Sequence, residues 1–279
     1  MANQLQLLHI VTKTTWNSTT GAALNTEGEK QMAMLTGKVA VVTGASKGIG
    51  AAIAGELADA GAATIVNYAS SQQQAEKLVA NITSSGGKAK AVRSDISKPA
   101  EANRLVDEAV SEFGRLDILV NNAGVYEFLP LPQITEEHFD RIFDLNVKGL
   151  VFATQAATAA MDEQGGAVVN IGSVASVLGP AGASVYSASK GAVEIITRSL
   201  AAELGPRHIL VNAVLPGPVD TEGSRAMPSA DQINAAFLAR TPLGRIGRPR
   251  DISTVVLFLL SPEAGWITGQ IIQVAGGLR

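Results

Sequence analysis

The sequence predicts an α/β protein built as a single doubly wound domain, with a seven-stranded parallel sheet flanked by helices on both faces. Three observations carry that expectation. Short runs of apolar and β-branched residues alternate with longer Ala-rich stretches of helical period. A glycine-rich turn directly follows the first of these runs. The length, 279 residues, is enough to bury a large core in one domain.

The strong patterning begins near Leu35. Residues 1–33 are rich in Thr, Asn and Gln with weak periodicity and read as a flexible extension, with Met32 or Met34 as alternative starts; residues 34–279 form the expected domain. The apolar run Leu5 to Val11 is short and lacks a preceding basic side chain, which argues against a secretory signal, and the absence of arginine before Arg93 argues against a transit peptide. Expected strands cover Val39–Thr43, Thr64–Asn67, Ala89–Arg93, Ile118–Asn121, Ala167–Ile171, Leu210–Leu215 and Ile271–Val274. Between them, helical spacing marks Ile49–Ala60, Gln72–Ser84, Ala100–Phe113, Phe139–Met161, Ser187–Leu204 and Ile252–Leu260. Strands this continuously apolar are buried on both faces, as parallel sheets with right-handed crossovers require, and ligands then bind at the C-terminal strand ends.

Composition narrows the function classes. A formal charge of -3 provides no basic field for phosphate backbones, so nucleic acid is not an expected partner. With no cysteine there are no disulfides, thiolate metal sites or cysteine nucleophiles, and the reducing cytoplasm is the simplest compartment. His9, His138 and His208 have no metal-ligand neighbour at helical spacing, so no metal site is expected. No apolar run is long enough for a membrane span.

Two clusters carry chemistry. In Val39-Ala-Val-Val-Thr-Gly-Ala-Ser-Lys-Gly-Ile-Gly50, the glycines Gly44, Gly48 and Gly50 lie between a strand and a helix. Small residues there let the backbone approach a pyrophosphate, and the helix N-terminus offers free N–H groups and partial positive charge; the plainer alternative is a tight strand-to-helix turn. Further along, Tyr186 and Lys190 stand four residues apart on one helical face, where an ammonium is expected to favour the phenolate and lower the tyrosine pKa. Ser173, at the end of a strand, is placed to reach a substrate oxygen, or else caps a turn.

Taken in order, Thr43-Gly44 with Gly48 and Gly50, Asn121-Asn-Ala-Gly124, Ser173, Tyr186-Ser-Ala-Ser-Lys190 and Pro216-Gly217 resemble the short-chain dehydrogenase/reductase family over about residues 35–279. The nearest members by pattern are 3-oxoacyl carrier-protein reductases, glucose dehydrogenases and small-ketone reductases. The resemblance implies a Rossmann domain and an oxidoreductase acting between a nicotinamide cofactor and a carbonyl or alcohol. It implies a catalytic set of Asn146, Ser173, Tyr186 and Lys190. Ser173 would polarise the carbonyl, Tyr186 would act as acid and base, and Lys190 would hold the cofactor ribose. Asn146, in a helix, would bind a water linking Lys190 to solvent.

The same resemblance places Gly44, Ser46, Lys47, Gly48, Ile49 and Gly50 on the cofactor phosphates, with Asp95 and Ile96 at the adenine. Asn122, Ala123 and Gly124 would border the ribose and phosphate path. Pro216, Gly217, Val219 and Thr221 would lie at the nicotinamide end, with Tyr186 and Lys190. Where an NAD-binding unit carries an acid, this chain reads Val66-Asn-Tyr-Ala-Ser-Ser71, with no carboxylate before Glu76. Tyr68, Ser70 and Ser71, with Lys47 as a basic partner, therefore favour NADP(H) over NAD(H); Lys47 alternatively is a solvated surface lysine.

The stretch Pro218 to Arg250 resembles the family's variable lid. Met227, Phe237 and Leu238, with Tyr126, Val174, Val177 and Leu178, are expected to form an apolar substrate site. Gln133 and Ala202 stand where carrier-protein reductases often present arginines, which weighs against an acyl-carrier substrate, and Ala275 replaces an aspartate common among relatives. Helices 139–161 and 187–204 are apolar around much of their surface, and the resemblance implies a homotetramer. A cofactor-binding regulatory protein without catalysis is the competing class, since fold alone does not imply chemistry.

Overall fold

The computed structural model describes residues 34–226 and 230–278, so the expected extension over 1–33 and the lid residue Met227 lie outside the described residues. Seven strands form one sheet: β1 (Val39–Val42), β2 (Ala63–Tyr68), β3 (Ala89–Arg93), β4 (Ile118–Asn121), β5 (Gly166–Ile171), β6 (Ile209–Pro216) and β7 (Ile271–Val274). Their order is β3-β2-β1-β4-β5-β6-β7 and every pairing is parallel. Each boundary falls within one residue of expectation, because a strand buried on both faces leaves an uninterrupted apolar run. β1 and β4, at the sheet centre, are buried at every position.

Alternation along the strands divides the core in two. Ala40 and Val42 of β1 face one cluster with Ile53, Leu57, Ile252 and Val256, from α1 (Gly48–Asp59) and, late in the chain, α10 (Pro249–Leu259). α2 (Gln72–Ser84) adds Ala75 and Ile82 to that layer. Val39 and Val41 face the other cluster with Leu105, Val106, Ala153, Ala157 and Leu204, from α3 (Pro99–Phe113), α5 (Leu150–Ala160) and α7 (Ser184–Leu204). Removing a fully buried side chain such as Leu57 or Leu105 costs about 2–5 kcal/mol, so either layer is essential to the fold.

One expected helix is interrupted. Instead of a continuous α-helix over 139–161, α4 (Glu136–Phe143) passes into a π-helical turn at Asp144–Gly149 before α5 begins. A π turn inserts an extra residue and shifts the apolar register, but the stretch holding Leu145, Val147, Leu150, Val151 and Phe152 is apolar around so much of its surface that periodicity does not show the shift. Its close packing is set at Gly149, where a Cβ would stand 2.8 Å from the Ile96 carbonyl oxygen. The lid holds further helices: α8 (Glu222–Arg225) and α9 (Ala230–Leu238), while α6 (Ala175–Leu178) precedes α7. Among the described residues, no helix is long and apolar enough to cross a membrane.

Chain connections leave β1 toward β2 on one side, while β4 pairs with β1 on the other, so a crevice opens at the C-terminal ends of β1 and β4. Gly44 and Asn122 follow those ends.

Candidate active site

Side chains of the sheet itself position the glycine loop. Asn67, in β2, accepts the Gly44 N–H on its Oδ1 at 3.0 Å and donates its Nδ2 to the carbonyls of Ser94 (3.0 Å) and Val92 (3.3 Å). Thr43 Oγ1 accepts from the backbone N–H groups of Asn122 and Ala123, each at 3.0 Å. Asn122 Nδ2 in turn donates to the carbonyls of Thr43 and Gly44. Four neighbouring strands are thus tied together by two amides and a hydroxyl. Sequence reasoning missed Asn67 and the bridging role of Thr43, because a polar residue in a strand shows its partners only once β1, β2, β3 and β4 are adjacent.

Gly44 and Gly48 have φ of +61° and +58°, a left-handed backbone that non-glycine residues rarely adopt. A Cβ on Gly50 would stand 2.4 Å from Asn122 Nδ2 and 2.7 Å from the Gly44 carbonyl oxygen. The loop therefore needs glycine at these positions to reach its shape, and α1 begins at Gly48 with its first N–H groups toward the crevice. These features fit a dinucleotide phosphate.

A cleft of about 520 Å³ runs across the C-terminal strand ends, within the ordinary range for ligand sites. Gly44, Ser46, Lys47, Gly48, Ile49, Gly50, Tyr68, Ser70, Ser71, Asp95, Ile96, Asn122, Ala123, Gly124, Pro216, Gly217, Val219 and Thr221 all line it, together with Ser173, Tyr186 and Lys190. Lys47 is exposed and has no ion pair among the described residues. Ser70 is exposed, and Ser71, at the start of α2, makes no side-chain cap. Two expected contacts already have local partners. Asp95 accepts from the Ser97 hydroxyl at 2.7 Å, and this bond chiefly holds its carboxyl below the ordinary value. Thr221 caps α8 by accepting the Ser224 N–H at 3.1 Å. Gly217 packs directly on Ala275, whose Cβ would lie 2.8 Å from an added Cβ.

At the reaction centre, α7 begins at Ser184, earlier than expected, which puts Tyr186 in its first turn. A phenolate there benefits from the helix N-terminus. Lys190 lies one turn on and is buried, with its Nζ donating to the Ile171 carbonyl at 2.9 Å and standing 6.0 Å from the Tyr186 ring centroid. Burial pulls the Lys190 pKa down to about 8. The Tyr186 hydroxyl departs from the sequence expectation: burial pushes its pKa up, while the Ser173 hydroxyl favours the phenolate and opposes the rise, and Tyr126 adds to it. Lys190 does not reverse this, because its own proton is loosely held and its ammonium points to Ile171.

Ser173 also accepts the Ala175 N–H at 3.2 Å, so it caps the turn into α6 as well as facing Tyr186. Asn146 is buried behind the cleft in the π-helical turn. Its Oδ1 accepts the Val125 N–H and its Nδ2 donates to the Val125 carbonyl, both at 2.9 Å, and to Ser189 Oγ at 3.1 Å. A Cβ on Gly124 would meet Asn146 Oδ1 at 3.1 Å and Lys190 Nζ at 3.4 Å, so the glycine lets these groups converge.

An apolar cavity of about 460 Å³ adjoins Ser173. Val174, Leu178 and Phe237 line it as expected, and Tyr126 lines the neighbouring cleft. Val177 and Leu238 do not line it and are exposed, because each sits beside an inward residue on its helix and points outward. Phe128, which the sequence reading missed, completes the wall.

Comparison with known proteins agrees with this architecture. Residues 44–279 match a family model described as enoyl-(acyl carrier protein) reductase. An uncharacterized oxidoreductase of Methylorubrum extorquens is 55% identical over 250 residues, covering 89% of this chain and 100% of the relative. A hydroxynaphthalene reductase-like protein of Metarhizium majus is 42% identical over 256 residues, covering 87% and 95%. A short chain dehydrogenase of Burkholderia cenocepacia, solved in complex with NADP, superposes with a TM-score of 0.83 at 39% identity, covering 88% of this chain and 99% of that one. With this sheet, this cleft and these relatives, the chain belongs to the short-chain dehydrogenase/reductase family of oxidoreductases.

Proposed function

We propose that the protein is an NADP(H)-dependent reductase of ketones or aldehydes, running in reverse on the matching alcohols, with Tyr186 as its general acid and base. The observation that carries this reading is the convergence of Ser173, Tyr186 and Lys190 on one cleft with the glycine loop. Bound NADPH would supply the hydride. The chain's own residues supply the rest.

In the reductive direction the Ser173 hydroxyl donates to the substrate carbonyl oxygen, and Tyr186 transfers its phenolic proton to that oxygen as negative charge develops there. The phenol holds its proton at neutral pH, and the Ser173 hydroxyl, which favours the phenolate, opposes the pKa rise that burial imposes on its release. The N-terminus of α7, in whose first turn Tyr186 sits, stabilises the phenolate left behind. In oxidation the phenolate takes the alcohol proton. Asn146 is a positioning residue, fixing Val125 on one side of the cleft and Ser189 of α7 on the other.

At the adenosine end, Lys47, Ser70 and Ser71 would hold a 2′-phosphate, which meets no carboxylate at the end of β2. The Burkholderia cenocepacia relative in complex with NADP supports that choice. We also propose a cytoplasmic homotetramer. Phe139, Val151 and Ile195 are exposed on α4, α5 and α7, and Trp266, just before β7, is 99% exposed, so both surfaces carry apolar groups suited to burial.

The test is oxidation of NADPH or NADH, followed by absorbance, with ketones, aldehydes, a β-keto ester and, in the reverse direction, glucose. Turnover preferring NADPH is expected. NADH preference would overturn the cofactor assignment, and tight NADPH binding without turnover on any substrate would favour a non-catalytic role.

A further inference from the structure

The cavity beside Ser173 is bordered by an aromatic corner that the proposed reaction does not itself require. Tyr126 and Phe128, after β4, both meet the Tyr186 ring nearly edge to face, with centroids at 6.4 and 5.8 Å and interplanar angles of 72° and 75°. They stack on each other at 6.4 Å and 30°. Although large and apolar, they are 38% and 43% exposed. Across the cavity stands Phe237 of α9, with Val174 and Leu178, in a lining that is mostly apolar apart from Ser173, Ser224, Asn234 and Arg240.

Tyr126 is approached from the lid side. A Cβ on Gly223 would come 2.7 Å from the Tyr126 hydroxyl oxygen, so α8 lies close against the end of the ring. The tyrosine ring thus lies between the reacting phenol and the lid.

We infer that this corner selects substrates whose ketone is carried on a flat, fused-ring aromatic framework, with Tyr126 and Phe128 as specificity-determining residues. The inference rests on the proposed reductase reading and names its substrate class. An aliphatic chain or saturated ring entering the cavity gains only apolar burial. A flat π-system of equal size gains in addition the quadrupole complementarity of stacked and edge-on rings, worth about twofold to tenfold in affinity per ring pair. Two uncovered rings beside the reacting hydroxyl make that difference multiplicative. They also orient the ring plane, so that the carbonyl on its edge reaches Ser173 and Tyr186.

The experiment compares 2-tetralone with 2-decalone, which share a carbon skeleton and differ in aromaticity, and measures kcat/KM with NADPH. In parallel, calorimetry on the unmodified full chain measures binding of 2-naphthol and decahydro-2-naphthol. Tyr126→Leu and Phe128→Leu change exposed rings and preserve bulk. The expected result is a tenfold or greater preference for the aromatic member of each pair, shrinking to threefold or less in the double variant. Equal handling of both members by the wild type, or a preference that survives both substitutions, overturns the inference. Turnover of both ketones without an aromatic preference would sink this inference and leave the reductase reading standing. Preferential 2-naphthol binding with no turnover of any ketone would support the aromatic site and remove the reductase reading.

Discussion

The Glu222 carboxylate, on the lid helix α8, accepts the backbone N–H of Gly48 at 3.2 Å, so a side chain of the lid occupies a donor of the glycine loop. A cofactor phosphate approaching the α1 N-terminus competes with that carboxylate for the same field. Glu222→Gln keeps an acceptor and removes the charge. We expect NADPH to bind about two- to fivefold more tightly to this variant at low salt, with the difference shrinking as salt rises, as for an exposed charge interaction. Fluorescence titration checks it, and unchanged or weaker binding contradicts it.

Lys190 gives a pH signature in stability. Burial places its pKa at about 8 in the fold, against 10.5 in the unfolded chain. Between those values the unfolded chain binds more protons, so this residue adds stability as pH rises through that window, fully present above 10.5 and lost as pH falls through about 8. Urea unfolding of wild type and Lys190→Met across that range should show wild type gaining relative to the variant as pH increases. A difference flat with pH would contradict the buried position of the ammonium.

Lys47 is expected to discriminate between cofactors. Lys47→Ala should weaken NADPH about tenfold while changing NADH less than twofold, because a charge-assisted contact to the 2′-phosphate is lost and nothing else is touched. Equal weakening of both would place Lys47 on the shared phosphates and refute the assignment.

Gly50 tests the loop geometry. An alanine there must displace Asn122, whose Nδ2 bridges Thr43 and Gly44. Overpacking of this kind costs about 1–3 kcal/mol, so Gly50→Ala should lower the melting temperature and weaken NADPH at least tenfold. Wild-type binding and stability in this variant would show that the close packing is dispensable.

The sheet was legible because buried parallel strands such as Val39–Val42 and Ile118–Asn121 are apolar throughout, and the glycine loop because its positive-φ positions admit little else. The spacing of Tyr186 and Lys190 survives as one helical turn on α7. What could not be read depends on through-space neighbours. The register shift of the π-helical turn around Asn146 is hidden in a stretch apolar around much of its surface, and the anchoring by Asn67 exists only because β3 lies beside β2. The direction of the Tyr186 shift was misjudged because sequence places an ammonium one turn away without showing that it turns to Ile171.

The most direct test of the central claim is NADPH consumption with the ketone panel by wild type and Tyr186→Phe, with NADPH affinity measured on the same samples. General acid catalysis by Tyr186 predicts turnover at least about 100-fold lower in the variant, with NADPH affinity within about threefold of wild type. Near-normal turnover by Tyr186→Phe would contradict the account.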